Sequence, residues 1–190
     1  NMEFNGVSID INFFKRLSMD IEKKIIELSK KIYSLSNIEF NINSPKQLST
    51  VLFDNLGIKE IKKRSTSVDV LNILSKDHQI AKELLEYRHL SKLKNTYLDA
   101  IPNHVNPKTM RVHTSFNQTI ASTGRLSSTK PNLQNIPIRT DIGREIRKGF
   151  IPETANSYIL SADYSQVELR VMAHFSKEDE LVNSFKNNID

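Results

Sequence analysis

Five of the six prolines in this 190-residue chain lie after residue 101, and that asymmetry limits the fold more than any other feature. Proline lacks the amide that a helix interior needs. Pro102, Pro107, Pro131, Pro137 and Pro152 therefore interrupt any long helix in the second half. Before Pro102 there are two long helical repeats. Phe13, Phe14, Leu17, Ile21, Ile25, Leu28 and Ile32 recur at helical spacing behind Asp10, a residue type that caps helix starts. Leu84, Leu85, Tyr87, Leu90, Leu93, Tyr97 and Leu98 predict a second long helix, from about residue 80 to residue 100, stopped by Pro102. Between them, Ser44-Pro45 reads as a cap with proline at the first helical position, opening a short helix that ends at Gly57. Another short helix is predicted from about Ser67 to Lys76, after an irregular basic connection holding Lys59, Lys62, Lys63 and Arg64. Asn5-Gly6 reads as a turn, and Arg111 to Phe116 alternates like a strand. The class is α+β, divided near Pro102 into a helical region (1–101) and a mixed region (102–190).

Charge is distributed unevenly along these regions. Residues 1–100 carry 16 Lys/Arg against 13 Asp/Glu, residues 101–150 carry 8 against 2, and residues 151–190 carry 3 against 7. A basic band directly before an acidic one suits a polyanion whose reacting phosphate meets a metal. A solvated basic face gives the same tally. The chain has no cysteine, which excludes disulfides and thiolate metal sites. No apolar run approaches membrane-spanning length and the first residues do not resemble a signal peptide, so a cytoplasmic protein without a membrane partner is expected.

The chemistry concentrates between Tyr158 and Phe175. Tyr158-Ile159-Leu160 is too short for a helix and reads as a buried strand. After Ser165 the period becomes helical, with Val167, Val171 and Phe175 four residues apart. Asp163 then falls at a strand end, where a carboxylate is open to water and to a hard cation. Ser165-Gln-Val-Glu168 also fits a capping box, in which both side chains serve backbone donors.

The order of residues adds to this. Asp163-Tyr-Ser-Gln-Val-Glu-Leu-Arg170 closely resembles motif A of the family A DNA polymerases, and Thr123 to Pro137 resembles the segment shortly before it. Asn43-Ser-Pro-Lys-Gln-Leu48 and Tyr87 to Tyr97 resemble parts of the thumb of the same family. The resemblance implies a thumb of long helices with a small helical tip over 1–101, and part of an antiparallel palm sheet with helices over 102–190. It implies that Arg88 and Lys92 contact the DNA backbone. Arg125 would reach the minor groove at the primer terminus, where nearly sequence-blind acceptors suit a guanidinium. Asn132, Gln134 and Asn135 would face the same groove or phosphates, and Arg139 a phosphate.

By the same resemblance Asp163 and Glu168 are catalytic, and Asp163 with the Tyr164 carbonyl holds Mg²⁺ in a two-metal site. Asp163, Tyr164, Ser165, Gln166 and Glu168 would bind the incoming dNTP, Glu168 blocking the 2′ position of a ribonucleotide. The partners implied are primer–template DNA and dNTPs, for a monomeric enzyme of the bacterial cytoplasm and nucleoid. The family's second catalytic carboxylate and nucleotide-binding helix follow motif A and are not in this sequence. The chain alone is therefore expected not to polymerise, and to expose apolar surface where those segments pack. The alternative is a non-catalytic DNA-binding module of the same fold, against which the intact Asp163 and Glu168 argue. A helical scaffold would explain residues 1–100 but not 123–170. His113 and His174 read as structural.

Overall fold

Two long helices laid against each other carry the helical half of the protein. The structure, a computed structural model, describes residues 1–154 and 156–187. They form two compact units, Asn1–Ala155 and Asn156–Asp190. The first unit opens with α1 (Met2–Asn5) and β1 (Ser8–Ile9), followed by α2 (Ile11–Ser36). The Asp10 carboxylate caps α2 by accepting from the Phe13 amide at 2.8 Å. At 26 residues α2 is about 39 Å long. Where a simple turn was expected at Asn5-Gly6, one helical turn runs through Asn5, and Gly6 closes it at φ 61 with its amide on the Met2 carbonyl.

Next come α3 (Pro45–Ser49), which runs on as a π-helical turn (Thr50–Asn55), and α4 (Val68–Leu74). The expected cap at Ser44 is in place, accepting from the Gln47 amide at 3.4 Å, and Ser67, where a short helix was expected to begin, accepts from the Val70 amide at 3.5 Å. Gly57 ends the first pair at φ 63. The second long helix is not continuous. It consists of α5 (Gln79–Leu93), a π-helical turn (Lys94–Leu98) and α6 (Ala100–Asn103). Pro102 falls inside α6, one residue before its end, and does not stop the helix ahead of itself. The buried side chains of α2 (Phe14, Ile21, Leu28, Ile32) form one core with Leu84, Leu90, Leu98 and Ile101. Each such burial stabilises the unit by roughly 1.5–3 kcal/mol relative to exposure.

Beyond α6 the backbone forms small antiparallel ribbons, β2 (Val105–Asn106) with β3 (Arg111–Val112), and β4 (Ser115–Asn117) with β5 (Ser127–Thr129). After α7 (Asp141–Lys148), β6 (Phe150–Ile151) pairs with β1, Ile9 opposite Phe150. The class is α+β. The strand expected over 111–116 splits at His113-Thr114, because the backbone before it pairs with β2 and Val7 and the backbone after it with β5. The His113 ring bridges the Glu3 carbonyl (2.8 Å) and the Thr109 hydroxyl (2.7 Å), and the Thr114 hydroxyl donates to Pro131 O at 2.7 Å.

The second unit contains α8 (Val167–Ser176) and α9 (Asp179–Lys186), with the Arg170 guanidinium 4.6 Å from the centre of the Phe185 ring. The strand expected at Tyr158–Leu160 does not form. Strands exist by pairing, and no strand lies among the described residues of this unit. Tyr158 and Leu160 are 93% and 90% exposed, and Val171 and Phe175 are also exposed.

The two ends of the first unit close on one contact. A Cβ on Gly149 would lie 2.3 Å from the Phe14 ring, which is fully buried. Gly149→Ala is expected to destabilise the protein by about 1–3 kcal/mol through overpacking, measured as a lowered urea midpoint with an unchanged m-value. An unchanged midpoint would show that the ring yields without cost.

Candidate nucleic-acid interface and carboxylate site

The segment after β5 is irregular, yet its backbone is fastened at several points. The buried Ser128 hydroxyl accepts from the Leu133 amide (2.9 Å) and the Gln134 amide (3.3 Å). The Asn132 side-chain oxygen accepts from the Gln134 amide at 3.1 Å and from Ser128 at 3.2 Å. Tyr97, from the π turn after α5, donates its hydroxyl to the Asn135 carbonyl. Arg147 of α7 donates to the Ile136 carbonyl at 3.1 Å. Thr140 caps α7 by accepting from the Gly143 amide at 3.1 Å, and Gly143 packs so closely on Pro137 that a Cβ would lie 2.5 Å from its carbonyl. With the backbone held, Asn132, Gln134, Asn135 and Arg139 are exposed. Arg125 is exposed in the loop joining β4 to β5, where Gly124 takes φ 74 and donates to the Ala121 carbonyl. Ser128 sits on β5 and bonds into 132–134, so the two loops are neighbours.

At the tip, Arg88 and Lys92 lie one turn apart on α5 but differ in setting. Lys92 is exposed. Arg88 is half-buried and donates to both the carbonyl and the hydroxyl of Thr66. Burial pushes its guanidinium below the ordinary value. With the Ser49 hydroxyl donating to Arg64 O at 3.1 Å, this fastens the end of the basic connection. Arg64 itself is bidentate on Asp54 at 2.6 and 2.8 Å, whereas Lys59, Lys62 and Lys63 are exposed.

A polar cluster ties the π turn to α2. Lys94 reaches Asp99 at 2.7 Å and Glu22 at 3.1 Å, and the Ser18 hydroxyl donates to Asp99 at 2.5 Å. Burial pushes the Asp99 carboxyl up, but the Lys94 and Ser18 bonds outweigh it and hold the group below the usual carboxylate value. Lys94 is held above its usual value, chiefly by the Asp99 bond.

In the second unit, Asp163 is exposed and its carboxylate accepts from the Tyr164 amide at 2.9 Å. The capping box does not form, because α8 starts one residue later than it requires. Gln166 takes the N-cap at φ 49, leaving Ser165 outside, its carbonyl accepting from Arg170 Nε at 3.0 Å. Glu168 sits in the first turn of α8, where a negative charge complements the helix dipole. His174 packs edge-on against Phe175. Among the described residues no three His, Asp or Glu side chains gather as a metal cluster.

The sequence profile of DNA polymerase family A matches residues 11–190. The chain belongs to this family. DNA polymerase I of Geobacillus stearothermophilus is 47% identical over 194 residues, covering all of this chain and 22% of that protein. The thermostable DNA polymerase I of Thermus aquaticus is 45% identical over 196 residues, again covering all of this chain and 23% of that protein. A solved structure, the POL domain of Pol1 from M. smegmatis in complex with DNA primer-template and dNTP, is similar with a TM-score of 0.84. It shares 40% identity and covers 97% of this chain and 33% of that one. The chain thus spans about a fifth of the length of the curated relatives it matches.

In this family A chain, the residues singled out from sequence around 125–139 are exposed, whereas those that hold the segment from behind were not singled out. Ser128, Tyr97 and Arg147 carry no local signal for these contacts. No helix among the described residues is long and apolar enough to cross a membrane.

The Asp99 cluster gives a pH signature. A depressed carboxyl contributes stability that is complete above its unfolded value near ~4 and is lost as pH falls through the folded value. The raised lysine contributes fully below its unfolded value near ~10.4 and loses it as pH rises. Asp99 is 41% exposed, so the effect should stay within about 1 kcal/mol. Urea midpoints taken from pH 6 down to pH 2 should fall more for the native chain than for Asp99→Asn; parallel curves would refute the linkage.

Proposed function

We propose that the chain is the thumb (1–101) and the first part of the palm (102–190) of a DNA-templated DNA polymerase. In this reading it grips primer–template duplex and supplies one catalytic carboxylate for nucleotidyl transfer from dNTPs to a primer 3′-hydroxyl. The observation that carries it is the fastened loop at 132–139 beside the Arg125 hairpin. There the backbone bonds to Ser128, Tyr97 and Arg147 while Asn132, Gln134, Asn135 and Arg139 stay exposed. Amides and guanidinium groups held this way can meet minor-groove acceptors of any base pair and the neighbouring phosphates. Lys92, exposed on α5, adds a phosphate contact. Arg88 divides its donors, since its fork has five N–H groups and spends some of them on Thr66. The relative solved with DNA primer-template and dNTP supports the partner class.

Asp163 and the Tyr164 carbonyl are hard oxygen donors, a set that fits Mg²⁺. When bound, the metal supplies charge neutralisation at the transferring phosphate and activation of the 3′-hydroxyl. Asp163 holds its share of that shell from an exposed position, and Glu168 screens the sugar at its 2′ position from the first turn of α8. Tyr164, Ser165 and Gln166 line the nucleotide's approach. The enzyme works as a monomer in the bacterial cytoplasm, on nucleoid DNA. By itself this chain does not extend primers, because it supplies one part of a two-metal centre.

Binding to a labelled primer–template is expected to weaken steeply between 50 and 200 mM salt, as phosphate contacts do. Arg125→Ala should cost a further ~1–2 kcal/mol at every salt concentration, while Asp163→Ala leaves the affinity unchanged. A variant lacking Arg125 that binds as tightly as the native chain would remove the minor-groove assignment. Nucleotide addition in a single-turnover assay would overturn the inactivity of the isolated chain.

A further inference from the structure

Tyr97 does not itself meet DNA in the proposed grip, yet its position behind the loop is unusually determined. It lies in the π-helical turn Lys94–Leu98 and is 4% exposed. In a continuous α-helix, residues five apart do not share a face. The π turn closes through the Asp99 amide on the Lys94 carbonyl at 2.9 Å, and so brings those two side chains to 2.7 Å. Both are clamped to α2, Asp99 by Ser18 and Lys94 by Glu22. The ring of Tyr97 is therefore fixed by the helix pair, and its hydroxyl ends on the Asn135 carbonyl.

That carbonyl lies in the middle of the exposed polar loop. On one side Gln134 is tied to Ser128 and Asn132; on the other, the Ile136 carbonyl accepts from Arg147. Without the tyrosine hydroxyl, Asn135 loses this partner and the loop keeps only its outer fastenings.

We propose that Tyr97 is a positioning residue for duplex binding: it transmits the rigidity of the α2–α5 pair to the 132–135 loop and so sets how well Asn132, Gln134 and Asn135 meet DNA. This rests on the DNA-gripping reading above.

The test is Tyr97→Phe, which keeps the buried ring and removes only the hydroxyl. Without DNA, amide exchange over residues 132–136 should speed up about 3–10-fold, with the amides of α2 and α5 unchanged. Duplex affinity should fall about 3–10-fold at every salt concentration, with the same salt slope, because no phosphate-binding cation has been lost. Lys94→Met, which releases the π turn but keeps the hydroxyl, should move both readouts in the same direction. Unchanged exchange at 132–136 in Tyr97→Phe overturns the proposal, and so does faster exchange with native affinity. If the native chain does not bind duplex at all, the gripping reading fails. The exchange result then decides alone whether Tyr97 anchors the loop.

Discussion

The first unit depends on one close approach, the ring of Phe14 seated on Gly149. No side chain fits between them. The Asp10 amide donates to the Gly149 carbonyl at 2.8 Å, Ile9 pairs with Phe150, and the Phe150 ring meets Phe14 edge-on at 5.8 Å. This junction fixes the start of α2 against the end of α7. The loop at 132–139 is thereby bracketed: α7, which holds Ile136 and Pro137, is seated at one end on the same helix that clamps Tyr97. The polar display near Arg125 is thus a product of the hydrophobic junction as much as of the loop's own residues.

Electrostatics follow the same division of labour. Several cations of the first unit spend donors on the fold, such as Arg88 on Thr66, Arg64 on Asp54 and Lys94 on Asp99. Others, among them Lys59, Lys62, Lys63, Lys92, Arg125 and Arg139, are exposed. A net charge cannot separate the two groups.

Local signals made much of the helical half readable: Asp10 and Ser44 as caps, and Gly57 as a stop, are all where side-chain chemistry puts them. Each acts within a few residues. The misreadings came from interactions that local spacing does not encode. The π turn at 94–98 depends on partners in α2, the β1–β6 ribbon joins opposite ends of the unit, and Tyr158–Leu160 has no neighbouring strand among the described residues of its unit. Ser165 and Glu168 matched a capping pattern, but Gln166 in a left-handed conformation shifted the start of α8 by one residue. Around 125–139, exposed residues carried a family pattern, while their supports were ordinary serine, tyrosine and arginine side chains.

The β1–β6 pairing bears on the order in which the first unit assembles. Ser8 and Ile151 are roughly 140 residues apart, against about 10 for the strands of the β4–β5 hairpin. Closing the longer loop costs about 2 kcal/mol more in chain entropy. During synthesis α2 and α5 are both available to pair long before residue 149 leaves the ribosome, so the helix pair forms with the Phe14 end still open. The seat for that ring arrives only after both long helices, and the loop at 132–139 is bracketed only then.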